Sequence, residues 1–138
     1  MQIVAVVADA NVLLSAVIGK AALRVLTQHK VKVHASRFNA AEVERYLPRL
    51  CAKYRMPEKL VAIQWRLLPV SFHPVEDYAM HMQWAVALLE DRDPDDAHPL
   101  ALSRALGLPL WSNDRDLQIE GIRCFPTAHL LKLLESER

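Results

Sequence analysis

The stretch MQIVAVVADANVLLSAVI (Met1–Ile18) decides how the rest of the chain is read. It is apolar from Ile3 to Ala8, breaks at Asp9-Ala10-Asn11, and turns apolar again from Val12. A short unbroken run rich in Val and Ile is the mark of a strand buried on both faces. The run after the break suits a helix start, with Asn11 placed to cap it. Asp9 then stands at the carboxyl end of a central parallel strand, where open α/β sheets gather their ligands. A carboxylate buried there is costly unless a cation, a donor or a proton compensates it. Nothing local obliges an acid after IVAVVA; capping of the following helix is the plain structural alternative.

Working outward, a helix is expected over Ala21–His29, with Gly19 marking the break before it. Val31–Ala35 alternates like a strand near a sheet edge. Within a helix over Phe38–Lys53, Val43, Tyr46, Leu47 and Leu50 follow the spacing of a buried stripe, and Pro48 should kink or divide it. Pro57 opens a helix through Leu68, Val70–Phe72 is a short third strand, and Val75–Leu89 reads as a helix whose core side includes Tyr78, Met82, Ala85 and Leu89. After the acidic turn Glu90–Asp96 come a helix over His98–Leu106 stopped by Gly107, a strand over Leu108–Ser112, a helical turn at most over Asp116–Glu120, a strand over Ile122–Phe125 and a closing helix over Thr127–Leu134. Strands alternating with helices predict a parallel sheet with helices on both faces, built as one domain over residues 1–138.

Composition narrows the function. Three glycines, with no GxGxxG or Walker loop, exclude a glycine-cradled phosphate site. The apolar N-terminus lacks a basic leader, carries Asp9 and Asn11, and falls short of the ~20 residues of a membrane span, so a cytoplasmic protein with no membrane association is expected. Cys51 and Cys124 are isolated, which disfavours zinc and suits buried thiols in a reducing compartment. The net charge of +1 hides an asymmetry: residues 20–66 hold eleven Lys/Arg against three acids, +8, which leaves −7 for the remainder. A basic segment beside an acidic one suggests a polyanion held next to a carboxylate or metal site, although any single Lys or Arg is as well explained as a solvated helix face.

The acids fall where a parallel sheet gathers its loops. Asp9 ends the first strand and Asp114 follows the fourth. Pro99 is tolerated only in a first helical turn, which fixes the start of its helix near Asp95 or Asp96. Glu42 lies inside a helix, bordering its buried stripe, and can lean toward the same rim. Each has a bland reading: Asp93, Asp95, Asp96 and Asp114 as caps, Glu42 as a surface partner of Arg45 or Arg49. If they converge they repel, and one stays protonated unless a cation joins them. All-oxygen ligation favours Mg²⁺ or Mn²⁺, ions that activate water and neutralise charge on a phosphodiester.

Taken in order, VVADANVLLSAV, AAEVERYL, RDPDDAHPLALSRALGLPLWSNDRDL and a closing strand–helix resemble the PIN-domain family, in particular its VapC-like toxin ribonucleases of prokaryotic toxin–antitoxin systems. The resemblance implies a three-layer α/β/α sandwich with a mainly parallel five-stranded sheet in the order 3-2-1-4-5. It also implies a divalent-metal-dependent endonuclease of single-stranded RNA. By position, Asp9, Glu42, Asp96 and Asp114 match the family's acidic quartet, with Asp9, Asp96 and Asp114 as metal ligands and Glu42 completing the shell or orienting the attacking water. Asp93 and Asp116 fall where many members hold further acids, Ser112 where a hydroxyl residue precedes the last acid, and Asn11 follows the first acid as in many relatives. Members often dimerise and are silenced by an antitoxin. From the basic segment, Lys20, Arg24, Arg37, Arg45 and Arg49 are the candidate RNA contacts.

Two rival classes stay open at this level. A phosphoacceptor receiver also has an aspartate rim, but requires an acidic pair after the first strand and a lysine after the last, where this chain has Asp9 alone and Pro126-Thr127. A PIN-like scaffold that binds RNA or protein without cutting is the other. His73, His81 and His98 are scattered and read as solvated or capping; Trp65, Trp84 and Trp111 read as packing, Trp111 above all.

Overall fold

The computed structural model describes residues 3–136. Five strands form one wholly parallel sheet: β1 (Ala5–Ala8), β2 (Lys32–Ser36), β3 (Val70–His73), β4 (Leu110–Trp111) and β5 (Cys124–Phe125), in the order β3-β2-β1-β4-β5. The order reverses at β1, so the loops after β1 and β4 diverge there and leave a crevice at the carboxyl rim. Asp9 sits at that switch point.

Alternation along β1 separates two cores. Val6 and Ala8, with Val33, Ala35 and Trp111, pack against α1 (Ala10–Val17), α2 (Ala21–Gln28), α3 (Arg37–Tyr54), α4 (Glu58–Leu67) and α7 (Thr127–Ser136). Val7 and Leu110 face the other way, onto α5 (Met82–Leu89), α6 (Ala97–Leu106) and Tyr78. Helices thus cover both faces, as the alternating pattern requires. Among the described residues no single helix is long and apolar enough to cross a membrane. The α1–α2 pair passes by composition but is bent by 87°, and its apolar side chains are the ones the first core buries.

Several local expectations are corrected. Asp9, not Asn11, caps α1, accepting the Val12 N–H at 2.9 Å. Pro48 neither divides nor ends α3, which runs eighteen residues through it. The buried row of α3 is Asn39, Val43, Leu47 and Cys51. Tyr46, 100° round the axis from Leu47, is left 47% exposed. The segment from Val75 is not one helix: 3₁₀ turns at Val75–Asp77 and Ala79–His81 precede α5, because Tyr78 leaves helical dihedrals (φ −138°, ψ 6°) to enter the core. Of the two free cysteines, Cys51 is buried but Cys124 only partly so.

Candidate active site

Asp9 is 4% exposed, and both of its carboxylate oxygens are engaged. Oδ1 takes the Val12 N–H, and Oδ2 takes the hydroxyl of Ser112, itself fully buried. Burial pushes its pKa up; these two donors pull it down, and Asp114 raises it again. The Ser112 Oγ also accepts the Asp114 N–H at 3.0 Å, so the end of β4 is stitched to the end of β1. Asp114 caps the 3₁₀ turn Arg115–Leu117 through the Asp116 N–H at 2.9 Å. Asp116 is exposed, with Arg92 Nε 4.0 Å from its carboxylate.

The acidic turn sorts its members. Asp93 is the cap, accepting the Asp95 N–H at 3.0 Å over the 3₁₀ turn Pro94–Asp96. Asp96 directly precedes α6, yet its side chain makes no capping bond. The bland reading therefore fails for Asp96. Pro99 sits in the first turn of α6, as its missing N–H demands.

Glu42 forms no ion pair with Arg45 or Arg49. The Nδ2 of Asn39, a residue only 2% exposed, donates to Glu42 Oε1 at 2.6 Å. Asn39 Oδ1 in turn accepts the Ser36 hydroxyl at 2.6 Å, and Ser36 caps α3 through the Asn39 N–H at 2.9 Å. Ser36, Asn39 and Glu42, three residues apart, form one rail down the first turns of α3. Asn39 was not among the expected site residues; the Ser-x-x-Asn-x-x-Glu spacing, with a polar residue on an otherwise apolar stripe, is the signal that carries it.

Asp9, Glu42, Asp93 and Asp96 line one cleft of about 210 Å³ together with Ala10, Asn11, Leu14, Asn39 and Tyr46. No Lys or Arg is among these lining residues. Asp114 is not among the lining residues, but its charge acts on both Asp96 and Asp9. The pKa of Asp96 is raised to about 7, first by burial, then by the charges of Asp114, Asp93, Asp9 and Glu42. Glu42 is likewise pushed up by burial, with Asn39 opposing and Asp95 and Asp93 adding to the rise. The carboxylates thus share a field in which acids outnumber the one cation, Arg45, that acts on Glu42.

The donor set suits a hard divalent ion, since every side-chain ligand on offer is an oxygen and the cluster carries uncompensated negative charge. Among the described residues no three His, Cys, Asp or Glu form a ready-made metal cage.

The basic candidates disperse. Arg49 lies over the Tyr46 ring at the cleft mouth, 5.6 Å from its centroid, and Arg45 is near enough to lower the Glu42 pKa. Lys20 lies over the Tyr54 ring. Arg24 is bound to Glu135 of α7 at 2.7 Å. Arg37 lines a separate depression with Arg66, Trp65 and Phe72. Two histidines are neither solvated nor capping. His98 stacks on Phe38 at 3.7 Å and pairs with the Tyr78 hydroxyl at 2.6 Å. His73 bridges His34 at 2.9 Å and Asp77 at 3.1 Å. Trp111 is fully buried, its Nε1 donating to Thr127 Oγ1 at 2.9 Å.

A parallel sheet under two helical layers, with carboxylates gathered at the carboxyl rim of its switch point, defines the structural class. The PIN-domain profile matches residues 7–135, and the chain belongs to the PIN-domain family. No curated protein matches it in sequence. Among solved structures it is similar to one described as a toxin-antitoxin complex from Klebsiella pneumoniae, with a TM-score of 0.63 and 18% identity over 88% of this chain and 97% of that one. At that identity the likeness concerns the fold.

Proposed function

We propose that this protein is a divalent-metal-dependent endonuclease of single-stranded RNA, and the toxin of a toxin–antitoxin pair held silent by a cognate antitoxin. The observation that carries the reading is the joint lining of one cleft by Asp9, Glu42, Asp93 and Asp96, with no Lys or Arg among the lining residues and the charge of Asp114 acting on Asp96. Family membership supports nuclease chemistry, and the likeness in fold to the Klebsiella pneumoniae toxin-antitoxin complex supports the pairing with an antitoxin.

In this reading Asp9, Asp96 and Asp114 hold Mg²⁺ or Mn²⁺, directly or through water. The bound ion supplies charge neutralisation at the scissile phosphate and a more acidic water. Glu42, fixed by Asn39, orients that water for attack along the line of the breaking P–O bond. Ser112 keeps Asp9 aimed and opposes the rise in its pKa that burial causes. Asn11 and Asp93 line the same cleft, Asp116 follows Asp114, and Arg45 and Arg49, the basic candidates beside the cleft, contact phosphates. A phosphoacceptor role requires a lysine directly after β5, where this chain has Pro126-Thr127.

The test incubates purified protein with single-stranded RNA and Mn²⁺, then adds chelator. Metal-dependent products are expected, and Asp9→Asn and Asp96→Asn abolish them while the variants unfold cooperatively. Full activity in either folded variant removes the mechanism. Binding without metal-dependent products identifies the non-cleaving scaffold instead.

A further inference from the structure

Along the α1–α3 seam, leading away from the carboxylate cleft, aromatic rings and cations alternate. Tyr46 is at once a lining residue of the cleft and 47% exposed, with the Arg49 guanidinium over its ring at 5.6 Å. Two turns further on, Tyr54 is 41% exposed and carries two ammonium groups over its ring, Lys53 and Lys20, each at 5.4 Å. The two tyrosines are eight residues apart on α3, about 12 Å along its axis. Among the described residues, Lys20, Arg49 and Lys53 take part in no ion pair, whereas Arg24 and Arg92 do. Their charge is therefore not spent on a carboxylate.

Both tyrosines stand outside the buried row of α3, which is Asn39, Val43, Leu47 and Cys51. We infer that Tyr46–Arg49 and Tyr54–Lys53–Lys20 are two stations of a binding track for unpaired nucleotides running out of the cleft. At each station a ring offers a stacking face to a base and the neighbouring cations take the backbone phosphates. A duplex hides its base faces, so the track selects single strands. Its occupant is RNA rather than a protein segment because the track is continuous with the cleft through Tyr46 and its charge is uniformly positive. The inference rests on the ribonuclease reading and adds the site that sets its substrate class.

The test uses the full-length Asp96→Asn protein, so that RNA is bound without being cut, and measures anisotropy of a labelled 12-nucleotide single strand and of its duplex. The single strand binds more tightly than the duplex. Tyr46→Leu and Tyr54→Leu each weaken single-strand binding about tenfold, while Tyr46→Phe leaves it unchanged. Arg49→Gln and Lys53→Gln each flatten the slope of log affinity against log salt by about 0.7. All four positions are exposed, so melting temperatures stay at that of the parent. If the single strand binds the parent but Tyr46→Leu and Tyr54→Leu bind it equally well, the track is overturned and the ribonuclease reading survives. If the parent binds no single strand at all, both fall.

Discussion

The Ser112 hydroxyl donates to the buried Oδ2 of Asp9, 103 residues away in sequence, and its oxygen accepts the Asp114 N–H at 3.0 Å. One side chain on β4 thereby fixes the first acid of the cleft and positions the last. It also supplies one of the two donors that oppose the upward push of burial on the pKa of a carboxylate only 4% exposed. Hydrogen bonds thus offset the cost of a buried carboxylic group at the crossover of a parallel sheet, and in the proposed reading a cation offsets the collective repulsion of the cluster.

Removing that hydroxyl leaves Asp9 Oδ2 without its donor and the Asp114 N–H without its acceptor. Ser112→Ala should lower stability by about 1–3 kcal/mol, whereas Ser112→Thr, which keeps the hydroxyl, costs less. Urea unfolding of the three proteins at pH 7.5 reads the difference. An Ala variant as stable as the parent would show that the bond does not hold Asp9.

Asp96 gives stability a pH dependence of definite sign. Its ordinary value is 3.8 and its folded value about 7. Between those limits the folded protein keeps a proton that the unfolded chain has lost, so the folded state binds more protons and stability falls as pH rises. In chelator, the melting temperature of the parent relative to Asp96→Asn should decline from about pH 4 to about pH 7 and level off above. Mn²⁺ at pH 7.5 should raise the parent more than the variant. A constant difference across the range, or equal Mn²⁺ shifts, contradicts the shared field.

Asn39 acts through Glu42. With Asn39→Ala, the amide that lowers the Glu42 pKa is gone, and only the charge of Arg45 still opposes the rise that burial, Asp95 and Asp93 cause. Cleavage should slow about tenfold, and the acidic limb of the pH–rate profile should move to higher pH. A merely structural role would lower the rate at every pH without moving that limb.

Much of this was legible in the sequence, because the signals were local. The apolar run before Asp9, the proline that places the start of α6 and the glycine that ends it put three acids on one rim without any coordinates. What escaped depends on direction and long-range contact. Tyr46 and Leu47 are adjacent apolar letters, yet 100° of helix rotation sends one to solvent and the other to the core. Tyr78 breaks an apparently helical stretch because a buried site between Ser36 and His98 draws it in, a demand no spacing reveals. Asn39 escaped because a polar residue on a buried stripe has meaning only once its two partners are seen.

The most direct test of the central claim is anomalous scattering from crystals soaked in Mn²⁺, collected near the manganese edge. The account predicts a peak among Asp9, Asp96 and Asp114, absent from Asp96→Asn crystals soaked in the same way. A peak only elsewhere on the molecule, or none in the cleft at saturating Mn²⁺, would mean that these carboxylates share no ion.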